Sequence, residues 1–361
     1  MTTIFEPLSL GTLTLPNRII MAPLTRGRAD AGGIPNAMMA EYYAQRADAG
    51  LIISEATAIS PQGYGWLGAP GIWNDAQAEG WKQVTAAVHA KGGRMFLQLW
   101  HMGRISHPDF QEGALPVAPS AVAAVGQSHT PLGKKEFVVP REITPEEIRD
   151  LPRIYAEAAK RAIHAGFDGV EIHAANGYLL DEFIRDGSNH RIDNYGGSVE
   201  NRTRLMQEVT AAVCDAISAG NVGVRFSPMS GHNSMSDSNP LATFSVAAAQ
   251  LNALGIAYLH VVEGLPGHRM FGEGERVTPH IRRLFKGALI ANGGYTKPLA
   301  NDALQSAQAD AVSFGISFLA NPDLVSRLRH DYPLNAPDME TLYAKGTLGY
   351  VDYPLYNPKA A

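Results

Sequence analysis

The sequence predicts an α/β fold: a (β/α)8 TIM barrel, one domain over 1–361, with an N-terminal capping hairpin and a long insertion after strand 3. Three observations predict it. Eight short apolar runs rich in Ile, Val, Leu and Phe alternate with longer helical patterns. The runs are nearly continuous in hydrophobicity, as parallel strands buried on both faces require. No linker or low-complexity tract divides the chain.

In order, "FEPLSLGTLTLPNR" alternates around Gly11 and reads as a hairpin closing the barrel bottom. The runs are "RIIMAPL" (18–24), "GLIISEA" (50–56), "RMFLQLW" (94–100), "GVEIHAA" (169–175), "VGVRFS" (222–227), "AYLHVVEG" (257–264), "ALIANGG" (288–294) and "AVSFGIS" (311–317). Helix starts are marked by Thr144 with Pro145 and Glu147, a capping box, and by Ser198. Thr278 before Pro279 and Asn321 before Pro322 give the same signal. "AKGG" (90–93) and "HAGF" (164–167) mark helix ends. About forty residues (101–143) follow the third run, a length that marks a functional insertion.

Composition excludes several classes. Hydrophobic residues make up 45%, enough for a packed core, and 18% charged residues give no sign of disorder. A net charge of -5, without interleaved basic and aromatic clusters, argues against a nucleic-acid partner. The single cysteine, Cys214, forms no internal disulfide and reads as a buried, inert thiol on a helix. "MTTIFEPLSLG" has no basic or apolar signal region, and no run reaches the ~18 apolar residues of a membrane span. A cytoplasmic protein with no membrane partner is expected, monomeric or homodimeric.

Chemistry in such barrels sits at the C-terminal strand ends. There the chain places Pro23, Leu24 and Thr25; Glu55 and Ala56; Gln98, Trp100 and His101; and His173, Asn176 and Tyr178. Arg225 and Glu263 follow, then Gly293, Gly294 and Gly315. Glycines after strands seven and eight open the backbone to a phosphate. Arg225, inside an apolar run, needs either a structural carboxylate such as Glu263 or a ligand that becomes anionic. His101, His173, Glu55 and Glu263 have neither HxH nor HExxH spacing, so no metal is expected. No run carries a Schiff-base lysine. "FGEGER" (271–276) reads as a mobile loop rather than a phosphate cradle. Asp181 and Glu182 read as structural acids of a first helical turn.

"MAPLTRGR", "GLIISEATAIS", "LQLWHMGRISH", "EIHAANGYLLDEF", "NYGGSVENR" and "FLANPDL" together resemble the old yellow enzymes, FMN-dependent ene-reductases on this barrel. The similarity runs from Phe5 to "GYVDYP" (349–354). It implies that Pro23, Leu24, Thr25, Ala56, Gln98 and Arg225 contact the flavin. Gly293, Gly294 and Gly315 would hold its phosphate, with Ile316 beside them. Trp66, Trp100 and Tyr350 would shape the substrate pocket. His173 and Asn176 would bind a substrate oxygen and Tyr178 would act as the acid. The implied reaction is ping-pong reduction of α,β-unsaturated carbonyls, maleimides and nitroalkenes: NADPH or NADH reduces FMN, and hydride passes from flavin N5.

One position departs from the family pattern. Ile316 stands where an arginine usually grips the FMN phosphate. The loss of one charge-assisted contact implies FMN binding about ten- to a hundredfold weaker. Two alternatives are another FMN barrel oxidoreductase and a phosphate-ligand binding barrel with impaired FMN affinity.

Overall fold

The structure, a computed structural model, describes residues 2–272 and 274–357. Strands β1 (Leu8–Leu10) and β2 (Leu13–Leu15) form the antiparallel hairpin. Gly11 turns it at φ 57°, and a Cβ there would lie 1.9 Å from the Gly220 carbonyl oxygen. Only glycine fits so close an approach. Leu10 and Leu15 are fully buried against Ile20, Leu51, Phe96, Tyr258 and Ile290, which seal the barrel bottom. Burying each such leucine is worth about 1.5–3 kcal/mol.

β3 (Ile19–Met21), β4 (Leu51–Ala58) and β5 (Met95–Trp100) begin the barrel. The insertion then contributes β6 (Val117–Ala118), β7 (Gln127–Thr130), β8 (Gly133–Glu136) and β9 (Arg141–Glu142). β7 and β8 form a second hairpin. β10 (Gly169–His173), β11 (Val222–Phe226), β12 (Tyr258–Val262), β13 (Ala288–Asn292) and β14 (Ala311–Phe314) complete a closed parallel barrel. All eight predicted runs are its strands. Along the ladders Glu171 lies beside Gln98, His173 beside Arg225, and Arg225 beside His260. A register shift between Ile53 and Ala56 kinks β4 at its mouth end, as bulges near active sites do.

The helices are α1 (Ala37–Ala44), α2 (Asp75–His89), α3 (Pro145–His164), α4 (Leu179–Ile184) and α5 (Val199–Ile217), then α6 (Pro240–Leu254), α7 (Thr278–Leu284), α8 (Lys297–Gln305), α9 (Ile316–Ala320) and α10 (Leu324–His330). Thr144 and Glu147 form the expected capping box of α3, and Ser198 caps α5. Two expected caps differ. α7 begins at Thr278 itself, and the Glu263 carboxylate accepts the Val277 and Thr278 N–H groups instead. Asn321 ends α9 rather than starting α10: its amide donates to the Ser317 carbonyl and accepts from the Asn335 N–H.

Cys214 is half-buried on α5 rather than fully buried, and burial pushes its thiol up to about 11. Among the described residues no helix is long and apolar enough to cross a membrane.

Candidate active site

The C-terminal strand ends open into a cavity of about 800 Å³. It holds Pro23, Leu24, Thr25, Ala56 and Gln98 on one side and His173, Asn176, Tyr178 and Arg225 on the other. Residues 125–129 and Phe137 from the insertion form its outer wall with Trp66. A second cavity of about 240 Å³ adjoins it at the β13–β14 end, lined by Gly293, Gly294, Gly315 and Ile316. The two share Pro23, Leu24, Asn176, Arg225, Arg269 and Met270. Among the described residues, no Asp or Glu lines either one.

The turn after β10 is built for one shape. Asn176 sits at φ 59° and Gly177 at φ 78°, left-handed backbone that asparagine and glycine accept best. The Asn176 N–H donates to Ser227 Oγ (2.7 Å), and Asn233 donates to the Asn176 carbonyl (2.8 Å). Asp181 accepts the Gly177 N–H (2.8 Å) and pairs with buried Arg185 (3.0 Å). Arg185 in turn donates to the Ser230 and Ser227 carbonyls. Asp181 and Glu182 are fully buried. They are structural acids as read, but they lock the turn to its neighbours rather than facing solvent, and Glu182 accepts the Arg104 N–H (2.9 Å).

The turn presents three side chains to the cavity, His173, Asn176 and Tyr178. His173 Nδ1 and Asn176 Oδ1 are buried with no hydrogen-bond partner. Tyr178 meets His173 edge-on, and Trp100 packs behind it with centroids 5.1 Å apart. Burial, with Arg225 and His260 nearby, holds the His173 imidazole well below its usual range, so it is neutral at physiological pH. Burial likewise raises the Tyr178 phenol above its ordinary value and keeps its proton on.

Beneath them runs a buried polar chain. Gln98 donates to Glu171 (2.8 Å), leaving its amide oxygen for the cavity. Glu171 also accepts from Tyr258 (3.1 Å) and meets His260 Nδ1 (2.8 Å), whose Nε2 meets Ser313 (2.8 Å). Arg225 Nη2 donates to Asn292 Oδ1 at 3.3 Å, and its Nε has no partner. Burial lowers the guanidinium pKa, and the nearby Glu171 charge opposes that shift. Glu263 is not its counter-ion: that carboxylate pairs with Arg276 (3.2 Å) and caps α7.

The other strand-end carboxylate and histidine are equally committed. Glu55 accepts the Arg26 and Gly27 N–H groups (3.1 and 3.0 Å), fixing the turn after Thr25. His101 Nδ1 accepts the Gly103 N–H (3.1 Å), and burial lowers its pKa to about 3. Among the described residues no three metal-ligating side chains converge.

Two expected pocket residues lie outside the lining. Trp100 is covered by Tyr178 and buried. Tyr350 stacks on Tyr42 (4.1 Å, 9°) under the guanidinium groups of Arg26 and Arg28. Tyr343 takes that place, 5.3 Å from Trp66. The expected dipole behind the glycines is also small, because α9 has five residues. In 271–276, Phe271 lines the large cavity and Arg276 holds Glu263, while Glu273 lies outside the described residues.

Comparison with known proteins decides the family. The model of the NADH:flavin oxidoreductase / NADH oxidase family matches residues 3–335. A probable flavin mononucleotide-dependent alkene reductase of Leishmania infantum is 44% identical, over 97% of this chain and 96% of its own length. The chain belongs to the old yellow enzyme family. The old yellow enzyme homologue of Zymomonas mobilis superposes with a TM-score of 0.96 at 50% identity, covering 98% of this chain and all of that one. Morphinone reductase in complex with tetrahydroNAD gives 0.94 at 44%, covering all of this chain and 99% of that one. As a member of the old yellow enzymes, this chain is an NAD(P)H-dependent flavin oxidoreductase.

The residues fit an FMN. The joined cavities offer an elongated, acid-free cleft with Arg225, whose Nε is unpartnered, lining both and glycines at one end. Gly293 and Gly294 have φ 126° and 92°, and a Cβ at Gly293 would sit 2.7 Å from the Glu263 carbonyl oxygen. The sequence reading missed Tyr343, His232, Asn233, Glu171 and His260. The last two were detectable: each sits in an apolar run on the inward alternation, Glu171 two residues before His173.

Proposed function

We propose that this old yellow enzyme reduces the activated C=C bond of α,β-unsaturated carbonyls, maleimides and nitroalkenes in ping-pong fashion. The observation that carries it is the His173 ring and the Asn176 side chain, which make no hydrogen bond among the described residues, beside the protonated Tyr178. Thr25, Ala56, Gln98 and Arg225 would hold the ring of an FMN, which would supply a hydride taken from NADPH or NADH. Arg225 would balance negative charge that develops on the ring, and Gln98, tethered by Glu171, would offer its amide oxygen as an acceptor.

The neutral His173 and the Asn176 amide donate to the substrate carbonyl or nitro oxygen. As the β-carbon accepts hydride, charge moves onto that oxygen. Donors already in place stabilise it, each worth roughly 3–4 kcal/mol of barrier. Tyr178 gives its hydroxyl proton to the α-carbon as general acid. Trp66 and Tyr343 close the pocket over the substrate and exclude water.

Colour tests the reading. Full-length protein is expected to be yellow, to bleach with NADPH without air, and to regain colour with 2-cyclohexenone. Colourless protein that FMN cannot reconstitute overturns it.

A further inference from the structure

Ile316 leaves the glycine end of the cleft without a strand-end cation, and its side chain lines the small cavity. The loop after β12 crosses that end. Leu265 N–H donates to the Gly293 carbonyl (2.8 Å), and the Gly264 and Phe271 N–H groups close the loop on Met270 and His268 (3.3 and 2.8 Å). Docked this way, the loop sets the His268 side chain within 3.3–3.5 Å of where a Gly294 Cβ would stand. Arg269 follows and lines both cavities.

Two features make these residues more than a covering. Among the described residues, Arg269 has no hydrogen bond and no ion pair, although it lines a cleft without carboxylates. A cation placed against such a wall has no internal partner and seeks an anion. His268 Nδ1 accepts the Met270 N–H (3.2 Å), which leaves the neutral ring's proton on Nε2 as a donor. In the small cavity the remaining cation, Arg225, already donates to Asn292.

We propose that Arg269, with His268 beside it, holds the flavin phosphate from the β12–α7 loop, in place of the charge absent at Ile316. The assignment rests on the flavin reading above. It makes the phosphate contact part of a loop that also walls the substrate side through Met270 and Phe271. Phosphate binding thereby orders one wall of the pocket.

Flavin fluorescence on the full-length chain, with FMN and with riboflavin, separates the terms, because riboflavin has no phosphate. Arg269→Ala is expected to raise the FMN dissociation constant about ten- to a hundredfold. Riboflavin binding is expected to change less than about twofold, given that only the phosphate contact is removed; it also reports intact folding. Adding Ile316→Arg to Arg269→Ala is expected to restore FMN affinity. Equal weakening toward both flavins overturns the assignment, as does an unchanged FMN affinity with a raised KM for NADPH, which would give Arg269 to the reductant. A wild-type chain that binds neither flavin overturns the cofactor reading itself. Wild type that binds FMN no better than riboflavin overturns only the phosphate assignment.

Discussion

His173 and Tyr178 meet edge to face, ring centroids 5.0 Å apart at 79°. The contact fixes the phenol beside the imidazole, and Trp100 backs it from behind. In the proposed reaction this sets a proton donor next to an anion-binding group without a hydrogen bond between them, so neither consumes the other. Tyr178→Phe keeps the ring packing and removes only the proton. The variant is expected to be reduced by NADPH at the wild-type rate and to turn over 2-cyclohexenone about a hundredfold or more slowly, the usual scale of lost general-acid catalysis. Stopped-flow rates for the two half-reactions check it. An unchanged oxidative half-reaction assigns the proton to another group.

Asn176 holds a left-handed backbone, and in the proposed reaction its side chain is also a donor. Alanine there would confuse them by straining the turn. Asn176→Gly keeps the backbone and deletes the amide, so enone kcat is expected to fall about a hundredfold with little loss of stability. His173→Ala is expected to do the same. The double variant is expected to lose less than the product of the two, because both donors serve one oxygen. Strict additivity in that cycle would place them on different atoms.

What the sequence made legible depends on what each residue's position depends on. Strand ends and the 173–178 turn were readable because an apolar run must stop there, and polar groups at that point face the mouth. Trp100 was misplaced for a different reason: Tyr178, from the next barrel strand's loop, lies over it. Tyr350 was misplaced because Tyr42, Arg26 and Arg28 draw it into a buried aromatic–cation stack, and Tyr343 enters the pocket instead. Arg225 was recognised as needing a partner, but Glu263 turns away to cap α7. Arg269 was invisible because a loop's side-chain direction follows from its docking on Gly293, which no periodicity encodes.

Arg225 is a buried cation whose closest hydrogen bond is 3.3 Å long and whose Nε is unpaired. It costs folding energy that, on the proposed function, bound flavin would recover. Arg225→Met fills similar space without charge. Without flavin this variant is expected to be as stable as wild type or more stable, by on the order of 1 kcal/mol. With FMN the order reverses, since wild type gains more from the ligand. Thermal melts with and without FMN measure both. A variant destabilised in both states would mean that Arg225 is structural, held by the Glu171 charge nearby.

The buried histidines set the acid limit. His101 is neutral when folded, with a pKa near 3, and titrates near 6.5 when unfolded. Below about pH 6.5 the unfolded chain therefore binds more protons, and stability falls as pH falls. Burial lowers His173 and His260 in the same direction. Each such group is expected to remove roughly 1 kcal/mol between about pH 6.5 and about pH 5.5. Catalysis, by contrast, has no histidine titrating in that window at His173, so the oxidative half-reaction is expected to stay flat where the protein still folds. His101→Asn supplies an oxygen for the Gly103 N–H without a titrating ring. Urea midpoints for wild type and variant at the two pH values isolate its share. The wild-type loss should exceed the variant's by about that amount, and parallel curves would show that His101 is already neutral in the unfolded chain.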